Sequence, residues 1–429
     1  MKLKRWVVFV GALALVVAAC GGGDTEATTT TADSGAPETT AAPDTTEGDT
    51  DTTQATETTE GTASGEPIII GAAIDQTQDM APFNNPANTA AQIMVDRINE
   101  AGGVDGRPLE LITRDTTLDP EQTKAVAAEL IDEGAVMLMV TCDFDFALPA
   151  SQEAVNAGVL AVAPCIGTDR QGPVGLGAED GAIAFSFGNM AQDEGAVLAE
   201  FAMDQGWENA VIVKDNLLVY FQDVVDAFEV RYEDLGGNVL SKEEFTGFDG
   251  TIGNVVSAVA NIPDKDVIAI STAFADLPAF VDGLRSLGDD TPIVCSWACD
   301  GTFWVPEGTS NLYYNTFVSV FGDDPNDDVN EFIAEMAARG AEPATGGFIG
   351  GAQAIQAFAM AVEATGSTDA ADIAEFFENF DDEELLFGDV SFSDEFHTVF
   401  GRPHRIMLFT DGVPSLVETR TATSPAEIR

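Results

Sequence analysis

Positive charge is scarce in this sequence. Its 429 residues include 18 lysines and arginines against 73 aspartates and glutamates, a formal net charge of −55. Only 11 of the acidic residues lie in residues 1–66, so the excess belongs mainly to the rest of the chain. Such a surface would repel phosphate backbones, and we therefore expect no nucleic-acid partner. The acidity itself indicates a strongly solvated surface.

Histidine is nearly absent, because His397 and His404 are the only two in the chain. The sequence also contains no G-x-S-x-G elbow, no P-loop and no H-E-x-x-H motif. Residues 324–335 approach the spacing of a calcium loop, but Val329 stands where that loop requires glycine. Asp324 followed by proline fits a helix start better. We therefore expect no enzymatic activity, no metal ion and no cofactor.

One long apolar run occurs at the N-terminus, where Trp6–Ala19 follows three cationic residues. It is short for a membrane span and typical of a secretory signal peptide, predicted here as residues 1–19, with an uncleaved anchor as the alternative. The run ends in "LVVAAC", which resembles a bacterial lipobox. This resemblance implies that Cys20 is lipidated, although a chance cysteine after an ordinary signal is possible. The protein is then expected outside the cytoplasm, anchored to the cell membrane as a lipoprotein.

Residues 20–66 are predicted to be a disordered linker that begins at the lipidated cysteine. Of the 46 residues in 21–66, 16 are threonine, and none is large and apolar. A segment of this composition cannot form a hydrophobic core. We expect an extended stalk between the membrane and the folded part.

Cysteine is also sparse, and four residues remain after Cys20: Cys142, Cys165, Cys295 and Cys299. Outside the cytoplasm an even number of cysteines favours disulfides. Cys142 and Cys165 each follow an apolar run, so they would lie close together if those runs are neighbouring parallel strands. Cys295 and Cys299 form a local pair in "CSWACDG". A metal site or four free thiols are the alternatives, but C-x₃-C alone is a poor zinc signal.

From Pro67 onward, strand-like apolar runs alternate with helical patterns. The runs include "PIIIGAAI", "RPLELITRD", "VMLMVT" and "VLAVAP". One helix shows a capping pattern, with Asp119 as N-cap, Pro120 at N1 and Gln122 at N3. This alternation predicts an α/β fold with parallel, doubly wound sheets. It pauses near "GAIAFSFGN" and restarts, which indicates two lobes, and Asp411-Gly412 is expected to be a hairpin turn.

The stretches "IIIGAAI", "RINEAGGVDGRPLELITRD" and "DPEQTKAVAAELIDEGAVMLMV" are more specific than this alternation. With "VLAVAP", they resemble the branched-chain amino-acid (leucine/isoleucine/valine) type of periplasmic solute-binding protein of ABC transporters, over about residues 67–415. The resemblance implies the type I periplasmic binding protein fold, in which two doubly wound lobes joined by three hinge strands close on a small ligand. The first lobe is expected to comprise residues 67–188 and 322–387. The second is expected to comprise residues 189–321 and 388–429.

The same resemblance implies a solute receptor that acts with an ABC permease and is expected to be a monomer. It would deliver a small organic solute, such as an amino acid, an amide or a related metabolite. A ligand-sensing receptor of a signalling system is the main alternative, and a hydrolase on the same fold is a weaker one.

The ligand is expected at the carboxyl ends of the strands, where open α/β sheets bind ligands. In the family, hydroxyls and backbone N–H groups hold the ligand carboxylate near positions that match Asp143–Phe146 and Cys165–Thr168 here. Asp143 stands where a serine is usual, and its charge would repel an α-carboxylate by about 1 kcal/mol or more. The expected solute is therefore neutral or carries a cationic group. Helix capping, or exposure to water, is the alternative role for Asp143.

Further candidates follow from the same resemblance. Tyr220 and Phe274 match aromatic lining positions of the second lobe. Trp297 and Asp300 lie near the position of an acid that meets the ligand ammonium. Phe144 is a candidate because it adjoins Asp143. If the alignment with the family is shifted by one residue, Phe144 would lie in the cleft instead. Each of these side chains is otherwise expected in a lobe core or at the cleft rim.

Overall fold

The structure is a computed structural model that describes residues 64–346 and 349–428. The predicted signal peptide, Cys20 and the predicted stalk up to residue 63 lie outside these residues. The backbone N–H groups of Ser64 and Gly65 donate to the carbonyl of Gly106 at 3.0 and 3.1 Å, so residues 64–66 already contact the folded part. Within the described ranges, no helix is long and apolar enough to cross a membrane.

Strands and helices alternate along most of the chain. The strands are β1 (Ile68–Ile74), β2 (Leu109–Asp115), β3 (Met137–Val140), β4 (Leu160–Ala163), β5 (Ala184–Asn189), β6 (Asn209–Asp215), β7 (Asn238–Phe245), β8 (Val267–Ser271), β9 (Ile293–Cys295), β10 (Leu312–Thr316), β11 (Glu383–Leu385), β12 (Gly388–Val390), β13 (Thr398–Val399), β14 (His404–Thr410) and β15 (Val413–Arg420). The α-helices are α1 (Ala81–Glu100), α2 (Pro120–Asp132), α3 (Phe144–Asn156), α4 (Pro173–Leu176), α5 (Ala191–Asp204), α6 (Val219–Asp234), α7 (Ile252–Ala260), α8 (Leu277–Ser286), α9 (Asp327–Ala338), α10 (Gly351–Thr365) and α11 (Ala370–Glu378). Short 3-10 turns occupy Asp180–Ile183 and Trp297–Cys299.

Two large sheets organise these elements. The first has the order β13-β5-β4-β3-β1-β2, and all of its pairings are parallel. The second has the order β15-β14-β10-β9-β8-β6-β7, in which β14 runs antiparallel to both of its neighbours. Helices α2 and α3 pack on one face of the first sheet, and α1 and α10 pack on the other. The second sheet lies between α7 and α8 on one face and α5 and α6 on the other. The predicted α/β fold with two doubly wound lobes is confirmed.

Local sequence accounts for several of these elements. β3 and β4 are apolar and buried at every residue, as strands of a sheet covered on both faces must be. The side chain of Asp119 accepts a hydrogen bond from the backbone of Gln122 at 2.9 Å, which confirms the predicted start of α2. Asp411 and Gly412 connect β14 to β15 with φ of 51° and 79°. Two positive φ values in succession identify the type I′ turn that the Asp-Gly pair predicts.

The chain passes between the two sheets three times, after β5, after β10 and after β13. The third passage lies between Val399 and His404, later than the predicted boundary at residue 387, because β13 pairs with β5 in the first sheet. Packing explains the later position. The Phe392 ring lies 5.2 Å from that of Phe185 on β5, so the segment after β12 is held in the first lobe.

Candidate ligand-binding cleft

A cavity of about 690 Å³, counting the space open to solvent at its mouth, lies between the two lobes at the carboxyl ends of their strands. The first lobe contributes Met80, Phe83, Cys142, Asp143, Phe146 and Cys165 to its wall. The second lobe contributes Leu217, Tyr220, Phe221, Phe248, Phe274 and Trp297. The wall is mainly aromatic and apolar, with acidic side chains as its charged groups.

The loop after β1 is shaped by the buried side chain of Asp75. This carboxyl accepts backbone hydrogen bonds from Thr77 (3.1 Å), Gln78 (2.9 Å) and Met80 (2.9 Å). The turn that results starts α1 at the cleft and brings Met80, and Phe83 one turn further on, to the cavity wall. The role of Asp75 is to satisfy the backbone donors of this turn.

Asp143 follows β3 and caps α3. Its Oδ1 accepts the backbone N–H of Asp145 at 3.0 Å and that of Phe146 at 3.4 Å. The residue is only 5% exposed, yet it lines the cavity. Burial, together with the nearby charge of Asp145, raises the pKa of this carboxyl to about 7, against the two backbone hydrogen bonds. Asp143 is therefore both a helix cap and part of the cleft wall.

The four cysteines lie in pairs at strand ends. Cys142 and Cys165 follow the adjacent strands β3 and β4, with their Cα atoms 4.7 Å apart and their sulfur atoms paired. Cys295 and Cys299 are paired in the same way across the turn after β9. The first pair lines the cavity and would tie the two loops of the first-lobe wall together.

The second-lobe wall is organised by a glutamate that the sequence analysis did not identify. Glu194 is fully buried in the first turn of α5. Its Oε1 accepts the Tyr220 hydroxyl at 2.8 Å and the backbone N–H of Trp297 at 2.6 Å. These bonds hold the two aromatic residues at the cavity, Tyr220 from the first turn of α6 and Trp297 from the short turn after β9. Burial raises the pKa of Glu194 to about 8, opposed by these two donors and by the Asn315 side chain.

A loop after the edge strand β7 brings Phe248 to the cavity. Phe248 has φ of 62°, an unusual backbone conformation for a bulky residue, and its side chain is 51% exposed. Two acidic side chains hold this loop: Asp215 accepts the N–H of Gly247 at 2.7 Å, and Asp276 accepts that of Phe248 at 2.9 Å. An exposed ring in a strained conformation at the mouth of a cavity is typical of a functional position.

The lobes contact each other beside the cavity. The backbone N–H of Val219, at the start of α6, donates to Asp145 Oδ2 at 3.0 Å. Phe83 lies 5.8 Å from Phe274 between ring centroids. Tyr220 packs so tightly on Gly167 that a Cβ there would lie 2.5 Å from its ring, so only glycine permits this approach. The cleft is thus narrow, with both walls in contact at its edges.

The periplasmic binding protein family model matches residues 67–412. This chain belongs to that family. The Leu/Ile/Val-binding protein homolog 1 of Brucella melitensis is 22% identical over 346 residues, covering 76% of this chain and 86% of the relative. An amino acid binding protein of Pseudomonas aeruginosa is 24% identical over 320 residues, covering 73% of this chain and 82% of the relative. The resemblance noted from the sequence is confirmed.

Solved structures of such binding proteins share the fold. The substrate-binding protein LivJ of Streptococcus pneumoniae, in complex with isoleucine, aligns with a TM-score of 0.72 at 19% identity, covering 83% of this chain and 99% of that one. A solute-binding protein of R. palustris in complex with 4-hydroxybenzoate aligns with a TM-score of 0.71 at 17% identity, covering 84% of this chain and 98% of that one. The type I fold with two lobes is therefore established for this periplasmic binding protein.

The structure brings five of the eight predicted ligand-binding residues together at the cavity. These are Asp143, Cys165, Tyr220, Phe274 and Trp297. They come from both lobes and from widely separated parts of the sequence. Their position is therefore consistent with a shared site, and their contact with a ligand stays a prediction.

The other three predicted residues are not part of the cavity wall. Phe144 is the first residue of α3 and is buried in the core between that helix and the sheet. The Thr168 hydroxyl donates to Asp223 at 2.7 Å. The Asp300 side chain accepts the Thr316 hydroxyl at 3.1 Å and the backbone N–H of Gly346 at 2.8 Å. Each of these side chains packs or forms hydrogen bonds within the protein, and its contact with a ligand stays a prediction.

Within the described ranges, no group of three or more His, Cys, Asp or Glu side chains is arranged to hold a metal ion. His404 is fully buried, and its Nδ1 lies 2.9 Å from the side-chain nitrogen of Asn315. His397 is stacked on Phe185 and lies 3.2 Å from Glu378. Both histidines therefore serve the packing of their lobes.

Proposed function

We propose that this periplasmic binding protein is an extracytoplasmic receptor that delivers a small organic solute to an ABC importer. The observation that carries the proposal is the apolar cavity whose wall is shared between the two lobes. Its wall is mainly aromatic and apolar with few charged groups, as is typical of small-molecule pockets. A ligand there would touch both lobes at once, so that its binding energy favours the closed arrangement.

Family membership supports a location outside the cytoplasm. The basic N-terminal segment, the apolar run and "LVVAAC" support a secretory signal whose cleavage leaves a lipidated Cys20. The threonine-rich segment that follows would let the folded part reach a permease in the same membrane. One copy of the chain contributes both walls of the cleft, and this supports action as a monomer.

The test is a thermal-shift screen of the purified protein against a library of amino acids, amides, amines and aromatic acids. A solute that binds only the native state raises the melting temperature, and the stabilisation grows with the logarithm of one plus its concentration over Kd. The Trp297→Ala variant should then lose about tenfold or more in affinity, since buried aromatic anchors dominate such sites. Trp207→Ala is the matched control, because Trp207 packs on Phe201 and Tyr313 away from the cavity.

Two results would contradict the proposal. One is a comprehensive library in which no solute shifts the melting temperature. The other is a bound solute whose affinity falls equally in the Trp297→Ala and Trp207→Ala variants, because that would place the ligand away from the cleft.

A further inference from the structure

The cavity wall carries acidic residues and no basic ones. Asp79 lies at its exposed rim and Asp143 in its buried part, while no lysine, arginine or histidine is among the described residues that line it. The remainder is largely aromatic, with rings from Phe83, Phe221 and Trp297 among others. Aromatic faces attract cations and repel anions. The charge of the wall and its aromatic rings therefore both favour a cationic ligand.

Asp143 has an oxygen available to such a ligand. Its Oδ1 is used to cap α3, at 3.0 and 3.4 Å from two backbone nitrogens. In the part of the chain that the structure describes, no group donates a hydrogen bond to Oδ2. This oxygen is not a buried unpaired atom, so water or a ligand in the cavity that Asp143 lines can reach it. A ligand that donates to Oδ2 would replace water there with a charge-assisted hydrogen bond.

Three sets of groups suited to holding a ligand carboxylate are already paired with acidic side chains of this chain. The Thr168 hydroxyl donates to Asp223 at 2.7 Å. At the start of α6, the N–H of Val219 donates to Asp145 at 3.0 Å. At the start of α3, the N–H groups of Asp145 and Phe146 donate to Asp143 itself. Helix N-termini and hydroxyls are common anion-binding groups, and at these three places they are paired within the protein.

We propose, building on the function proposed above, that the solute is an apolar organic cation. Its ammonium group would lie against Asp143 Oδ2, and its hydrocarbon or aromatic body would fill the space between the rings of the two lobes. This is narrower than the expectation of a neutral or cationic solute drawn from the sequence. It also differs from an α-amino acid, whose carboxylate could not use these three paired groups.

The test uses four probes that share a phenyl ring on a two-carbon chain. They are 2-phenylethylamine (a cation), 3-phenylpropanamide (neutral), 3-phenylpropionate (an anion) and phenylalanine (a zwitterion). Isothermal titration of each into the purified protein at neutral pH and low salt gives four dissociation constants. The cation should bind most tightly, the amide less tightly, and the anion and zwitterion at least about tenfold more weakly than the cation.

The variants Asp143→Asn and Glu129→Gln separate the cavity carboxyl from an acid far from the cavity. Asparagine is as good an N-cap as aspartate, so Asp143→Asn should keep the fold. It should weaken binding of 2-phenylethylamine about 10- to 100-fold, the range of a charge-assisted hydrogen bond, and change the amide about threefold or less. Glu129→Gln should change either probe about twofold or less, because Glu129 is exposed on α2 and does not line the cavity.

Several outcomes would overturn the inference. One is equal or tighter binding of 3-phenylpropionate or phenylalanine, and another is unchanged amine affinity in Asp143→Asn. A library whose ligands prove to be anions or zwitterions would refute the cation while leaving the solute-binding function intact. The absence of any ligand, in both the library and the probe series, would refute both proposals together.

Discussion

Replacing Glu194 by glutamine should change how the stability of this protein depends on pH. Glu194 is fully buried, and burial raises its pKa from 4.5 to about 8 despite the hydrogen bonds from Tyr220 and Trp297. In the folded protein the carboxyl therefore keeps its proton at neutral pH, whereas in the unfolded chain it ionises near 4.5. Glutamine has the same shape, and its Oε1 can accept the same two hydrogen bonds without an ionisable proton.

The direction in which stability changes with pH follows from the difference between the pKa of Glu194 in the folded and the unfolded protein. A carboxyl whose folded pKa is raised gives its full stabilising contribution below pH 4.5 and loses it as the pH rises through about 8. Each pKa unit corresponds to about 1.4 kcal/mol, so this residue alone accounts for up to about 5 kcal/mol across that window. Relaxation and water entry at high pH reduce the measured value, and about 2–4 kcal/mol is the expected size. The buried carboxyls of Asp143, Asp193 and Asp223, with pKa values raised to about 7, 6 and 6, act in the same direction.

Denaturant unfolding at pH values from 5 to 9 measures this effect. The free energy of unfolding of Glu194→Gln, relative to the parent protein, should rise as the pH increases to about 8 and then level off. Glu129→Gln is the control, because Glu129 is exposed on α2 and its replacement should shift stability by no more than about 0.5 kcal/mol. A stability difference between Glu194→Gln and the parent that stays constant over this range would refute the assignment of a protonated, buried Glu194.

Three further predictions concern covalent structure and motion. Peptide mapping without reduction should find Cys142 linked to Cys165 and Cys295 linked to Cys299, and reduction should lower stability by about 2–4 kcal/mol per bridge; four free thiols would contradict this. Small-angle scattering should show a smaller radius of gyration when a ligand binds, because the lobes close on it; an unchanged radius with a ligand of proven affinity would count against closure. Replacing Cys20 by alanine should release the protein from the membrane or leave it unprocessed, and unaltered mass and fractionation would disprove lipidation.

The architecture was predictable because its signals are local. Apolar runs bounded by helix starts such as Asp119 repeat through the chain, and Asp411-Gly412 has the composition of one turn type. The last passage between the lobes was not predictable in this way. Its position depends on Phe392 packing against Phe185, which lies more than 200 residues earlier in the sequence. Periodicity carries no information about such a contact.

The cleft was partly predictable for a similar reason. Parallel strands place their following loops at one edge, so Asp143 and Cys165, which follow neighbouring strands of the first sheet, are near each other by topology. Which side chain faces the cavity depends on hydrogen bonds that the loop makes, and Thr168 turns toward Asp223 for that reason. Phe248 was missed because its loop follows an edge strand, and only the glycines around it hint at an unusual turn.

The central claim is that the solute lies between the lobes, and a crystal structure with the tightest ligand from the screen tests it most directly. We expect the ligand density in the cavity, in contact with Asp143 from the first lobe and with Tyr220 and Trp297 from the second. Ligand density anywhere else on the chain, with this cavity occupied by water alone, would contradict the account.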